Sequence, residues 1–137
     1  MAAIGGDVSE ITYNHPTIGS GTWYPKSAED FTIDPGGIRG ADDENNVDGG
    51  GNNIKILNRK RWFAEGPISW DANVANELEQ AERLAADPVD ADWTVTLING
   101  TVWGGKGSIV GDVQGGTNAA TMSIKIAGGG KLSKIVG

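Results

Sequence analysis

The chain has no cysteine, which excludes a disulfide framework and any Cys-ligated zinc site. It has a single histidine, His15, in the turn-like context Asn14-His15-Pro16. Without a second histidine, a cysteine or a Gly-x-Ser-x-Gly elbow there is no apparatus for nucleophilic or metal-assisted catalysis, so neither an enzyme nor a cofactor is expected. No apolar run approaches the length needed to cross a bilayer, and the start MAAIGGDVSE has neither a basic nor an apolar leader region. A soluble, uncleaved chain without a membrane partner is the expectation. Positive charge is also scarce: 11 Lys and Arg against 18 Asp and Glu leave a formal charge of −7. That is the wrong sign for ordinary nucleic-acid binding, which needs cations to displace condensed counterions.

What is present reads as one domain over residues 1–137, long enough for a single core. The 22 glycines follow no collagen period and sit between strand-like segments, as turn, bulge and close-contact positions do. In WTVTLINGTVWGGKGSIVGDV, residues 93–113, Trp93, Val95 and Leu97 alternate with Thr94, Thr96 and Ile98, and Asn99-Gly100 predicts a type I′ hairpin turn. Gly104, Gly105 and Gly107 predict a bulge or bend in the returning strand where another backbone comes close. Thr121–Ile126 and Leu132–Val136 read as a second hairpin about Gly128-Gly129-Gly130. A third is expected from Asn53–Phe63 and Ile68–Trp70, turning near Ala64–Pro67, with further strands at Val8–Tyr13 and Glu29–Ile33. One helix is expected over 73–86. Val74, Leu78, Ala81 and Ala85, with Leu84 beside them, make its apolar stripe, Asp71 or Asn73 its cap, and Asp87-Pro88 its end.

Charge is segregated along the chain. Residues 29–50 hold seven acids against Arg39 alone, whereas residues 101–137 hold four lysines against Asp112. The acids concentrate in GADDENNVDGGGNN, residues 40–53, whose only large apolar side chain is Val47. As an EF-hand loop it fails, since Val47 and Asn53 occupy the glycine and glutamate positions. GTVWGGKGS, residues 100–108, fails as a phosphate loop because Gly107 stands where Ser or Thr must reach magnesium. Five tryptophans (Trp23, Trp62, Trp70, Trp93, Trp103) fit core and interface packing, with a sugar-stacking platform as the alternative.

The order of parts, a long polar loop, a segment with Trp62 and Trp70, one helix, the Asn-Gly hairpin and then GKGSIVGDVQGGTNAATMSIKIAGGGKLSKIV over residues 105–136, resembles a bacteriophage tail tube protein, best from Ile54 to Val136. The resemblance implies a mainly β, sandwich- or barrel-like subunit with one flanking helix, related in shape to type VI secretion inner-tube proteins. Such subunits form hexameric rings that stack into the conduit for DNA ejection, with a continuous β-barrel lining the lumen. Implied partners are identical copies, a tape-measure protein and phage DNA in the lumen, baseplate or tail-tip and terminator proteins, and a sheath in contractile tails. The implied location is the virion, after assembly in the host cytoplasm. Sheet edges recruit other strands, and ring closure pairs them. An acidic pore does not hold DNA; Asp34, Glu65 and Asp112 are the lumen candidates. Residues 40–53 are then expected to be mobile in the free subunit and fixed on a neighbour. Asp42, Asp43, Glu44 and Asp48, with Asn45, Asn46, Asn52 and Asn53, would face Arg59, Lys60, Arg61, Lys131 or Lys134 there. The runner-up expectations are a monomeric carbohydrate-binding module and a secretion-system tube protein.

Overall fold

The computed structural model describes residues 4–42, 44–71 and 76–136. Strand dominates, consistent with a β-sandwich, and a single helix stands among the described residues. The strands are β1 (Val8–His15), β2 (Gly19–Trp23), β3 (Thr32–Asp34), β4 (Gly37–Gly40), β5 (Leu57–Lys60), β6 (Trp62–Ser69), β7 (Ala91–Leu97), β8 (Val102–Ile109), β9 (Gln114–Gly116), β10 (Thr121–Gly128) and β11 (Ser133–Val136), with α1 (Glu77–Ala86) between β6 and β7.

Nine strands form one sheet in the order β2-β1-β7-β8-β10-β6-β3, with β11 beside β8 and β9 beside β10; β4 and β5 pair only with each other. The sheet doubles over, because the chain leaving β2 runs on beside β6. Tyr24 O accepts from Ser69 N at 2.9 Å and Lys26 N donates to Pro67 O at 3.1 Å. Alternation decides what lies inside. On β6 and β10, Trp62, Ala64, Ile68, Met122, Ile124 and Ile126 are buried, while Glu65 and Ser123 between them are exposed. Trp23 and Trp93 stack obliquely with Tyr13, with ring centroids 5.2 to 5.7 Å apart.

Several expected pairings give way to others. Trp62–Ser69 is one uninterrupted strand along β10, with no turn at Ala64–Pro67. The expected hairpin of β10 on β11 is absent. Both run antiparallel to the same edge of β8, Ile126 opposite Ile109 and Ser133 opposite Gly104. They act as one strand interrupted by an excursion through Gly129, Gly130 and Lys131, which Leu132, 1 % exposed, anchors in the core. The β7–β8 hairpin forms, but its loop has three residues, Ile98, Asn99 and Gly100. Gly100 N donates to Leu97 O at 2.9 Å, and only Gly100 takes the left-handed conformation, with φ 91°. The β7–β8 register is regular, so the glycines of β8 make no bulge there. They do admit a neighbouring backbone: a Cβ on Gly107 would strike Ala127 O and the Trp62 ring. The strand expected at Glu29–Ile33 shortens to β3.

Helix α1 is capped by Asn76, whose side chain accepts from Glu79 N at 3.4 Å, rather than by Asp71. Asn73 and Val74 lie outside the described residues. Ala81 and Leu84 are buried as expected, Leu78 packs against the core, Ala85 is exposed, and Glu77 takes an inward position, accepting from Asp71 N at 2.6 Å. The Gln80 amide oxygen fastens the helix to the sheet by accepting from Tyr13 Oη at 2.8 Å and Trp23 Nε1 at 3.2 Å. His15 ends β1 at the turn over residues 16–18, in keeping with its sequence context, and is buried. Its Nδ1 accepts from Thr17 N and Ile18 N, which leaves the proton on Nε2 to donate to Val89 O at 3.0 Å.

Candidate interaction surface

The polar loop turns out to be the outer half of a hairpin arm. Gly37 to Gly40 pair with Lys60 to Leu57, and the ladder continues outward. Ala41 N donates to Ile56 O at 2.8 Å, Ile54 N to Asn46 O at 2.8 Å, and Asp48 N to Asn52 O at 2.9 Å, with Val47 bridging Asn53. Asp48 builds the tip: its Oδ1 accepts from Gly50 N and Asn52 N, each at 2.9 Å. The Asn52 main-chain N–H first, then the Asn52 side chain and the Gly50 N–H, hold the Asp48 carboxyl below the usual carboxylate range. An unstructured loop over 40–53 is therefore corrected to a paired ribbon. Local side-chain bonds of Asp and Asn replace the apolar contacts such a segment lacks. Asp42 and Glu44 are exposed on the arm, with Asn46 half-buried between the strands. Asn45 lies beside them, and Asp43 falls outside the described residues.

What the sequence reading missed on the arm is apolar. Ile38 and Leu57 are 65 % and 57 % exposed, and Val47, Ile54 and Ile56 are also open to water. Alternation within Ile54-Lys55-Ile56 was the available signal, but it reads equally as a core strand. Covering each such side chain is worth about 1.5–3 kcal/mol, so the arm carries a binding potential that the subunit itself leaves unused.

At the base of the arm four of the five expected basic residues come together. Arg59, Lys60 and Arg61 border a groove of about 450 Å³ whose opposite wall is Gly129, Gly130 and Lys131, with Gly37 and Ile38 completing it. The excursion between β10 and β11 supplies that wall; Gly36 bridges Lys131, and Leu132 N donates to Pro35 O at 2.8 Å. Lys134 is not part of it, being on β11 opposite Trp103. Arg39 turns back to pair with Asp34, which also accepts from Gly36 N at 2.9 Å; that backbone N–H first, then Arg39, hold its carboxyl low. Glu65 is exposed on β6 opposite Lys125 of β10 and Thr32 of β3, and Asp112 is exposed in the link from β8 to β9. The three lumen candidates are thus not one cluster, though Asp34 and Glu65 share a sheet face.

The tryptophans offer little surface for a sugar. Trp23, Trp62 and Trp93 are at most 1 % exposed. Trp62 Nε1 donates to Lys106 O, Trp93 Nε1 to Gly107 O and Trp70 Nε1 to Gly116 O. Among the described residues there is no metal-binding cluster of His, Asp or Glu, and no helix long and apolar enough to cross a membrane. No family model matches the chain, and no curated protein matches it either.

Proposed function

We propose that this chain is a structural building block that polymerises: six copies close a ring, rings stack, and the bore is the passage for DNA leaving a bacteriophage tail. The observation that carries this reading is the arm, a two-stranded ribbon that keeps five apolar side chains in water and makes no sheet with its own body. A monomeric binding module has no use for such a ribbon, while a polymer buries it at every repeat.

The sheet margins support the same reading. β3 and β9 are three-residue strands at opposite sides of a layer that also contains β6 and β10. Its outward face alternates Thr32, Glu65, Ser123 and Lys125 with buried apolar residues. Setting β9 of one copy beside β3 of the next would continue the layer around a ring and turn this polar face to the bore, with Asp34 and Glu65 on it. A surplus of carboxylates repeated about a pore repels phosphates and lets DNA slide. Partners on this reading are further copies, a tape-measure protein and DNA within, tail-tip or baseplate and terminator proteins at the ends, and a sheath outside a contractile tail.

Negative-stain microscopy with light scattering on the purified chain tests this. Rings or tubes should form as concentration rises, and a variant in which residues 38–59 are replaced by a two-residue turn should stay monomeric yet folded. A wild-type chain that remains monomeric at all concentrations, or an arm-less variant that still makes tubes, overturns it.

A further inference from the structure

We propose that the basic groove at the base of the arm receives the acidic tip of the arm of a second copy, in head-to-tail order. This rests on the polymer reading above and adds a receptor and a direction to it.

The two surfaces are complementary in composition. The groove presents Ile38 as its apolar side chain, with Arg59, Arg61 and Lys131 around it, and among the described residues none of these three cations has a salt-bridge partner. The arm beyond the groove presents Val47, 51 % exposed, with Asp42, Glu44 and Asp48 about it and no Lys or Arg between Arg39 and Lys55. A segment that carries Val47 among acids thus answers a groove that carries Ile38 among cations. Burying Val47 on Ile38 supplies the area term, and the charges supply orientation and selectivity.

Geometry prevents a copy from satisfying itself. Gly37 pairs with Lys60 and Asp48 with Asn52, so the ribbon is as long as its return strand, about 26 Å at about 3.3 Å per residue, and the tip stands that far from its own groove. The remaining body, of about 110 residues, has a radius of gyration of about 13 Å and a diameter of about 34 Å. The arm therefore reaches past the radius of a body, and its tip can enter only the groove of another copy. Donor and receptor are different surfaces, so the contact is heterologous and propagates.

Two double variants test this, all four positions being exposed in the structure. The groove variant carries Arg59→Glu and Lys131→Glu. The tip variant carries Asp42→Lys and Glu44→Lys and leaves the tip-building Asp48 in place. Each alone should keep the wild-type thermal midpoint while its critical concentration for polymerisation rises by about tenfold or more. An equimolar mixture should polymerise again, because every junction then joins opposite signs. If the wild type polymerises and the groove variant does so equally well, or the mixture stays monomeric, the receptor lies elsewhere and the tube reading stands. Wild-type chain that does not polymerise removes both.

Discussion

Body and arm are built on opposite terms. In the body, Trp23, Trp62 and Trp93 each bury an indole, half-buried Trp70 lies against the core, and all four place the N–H on an acceptor; among the described residues no buried side-chain polar atom lacks a partner. In the arm, five apolar side chains stand in water, and beyond the ladder the Asp48 turn and the bond from Asn46 Nδ2 to Ala41 O fasten the ribbon. The body is thus complete as a fold, whereas the arm leaves its apolar side chains uncovered. Stability and assembly should therefore be separable by mutation.

The largest effect expected on the body is from Trp93→Ala, which empties the centre of the aromatic cluster. It should cost about 3–5 kcal/mol in denaturant unfolding; a loss below 1 kcal/mol would mean that the cluster is not the core. Next comes Gln80→Ala, which strips the acceptor from Tyr13 Oη and Trp23 Nε1 beneath the helix. A loss of about 1–3 kcal/mol is expected, and full stability would show the helix to be held by apolar packing alone. Gly107→Ala forces a methyl against Ala127 O and the Trp62 ring and should cost a similar 1–3 kcal/mol or so, read as a lowered thermal midpoint. On the arm the comparison inverts. Ile56→Asp should leave the unfolding midpoint within about 0.5 kcal/mol of wild type while abolishing polymers in light scattering; any large destabilisation would make the arm part of the body.

The smallest effect is a pH dependence at the tip. The Asp48 carboxyl is depressed in the folded arm, so its contribution is fully present above the ordinary carboxylate value of about 3.9 and is lost as pH falls through the lower folded value. Amide exchange at Gly50 and Asn52 should accordingly stay slow at pH 5 and quicken only in stronger acid. Exchange that quickens already between pH 6 and 5 would contradict the Asp48 bonds.

Local features were legible in the sequence and long-range pairings were not. Asp87-Pro88 ends α1 after Ala86, Glu79 pairs with Arg83 one turn on at 2.6 Å, and β7 shows its alternation plainly. Each depends on neighbours within a few positions. The partner of β11 depends on Leu132 finding the core 28 residues after Gly104, and a glycine triplet permits a sideways step as readily as a reversal. Gly66-Pro67 punctuates most sequences, yet here both lie within β6, between the Phe31 ring and Ser123. Of the site, the residue types at the groove were readable from Arg59-Lys60-Arg61, but Lys131 joins them through the excursion, a tertiary event. The apolar side of the arm was hidden because alternation marks a strand without saying whether anything covers it.

The way the arm is rooted has a mechanical corollary. Tension on its return strand enters the body at Trp62 and runs down β6, whose eight residues lie opposite eight of β10 from Gly128 to Thr121. Hydrogen bonds in that ladder stand across the strands, so a pull along β6 loads the rungs together in shear instead of peeling them one by one, which is how a strap anchored flat resists a tug that would strip it from its end.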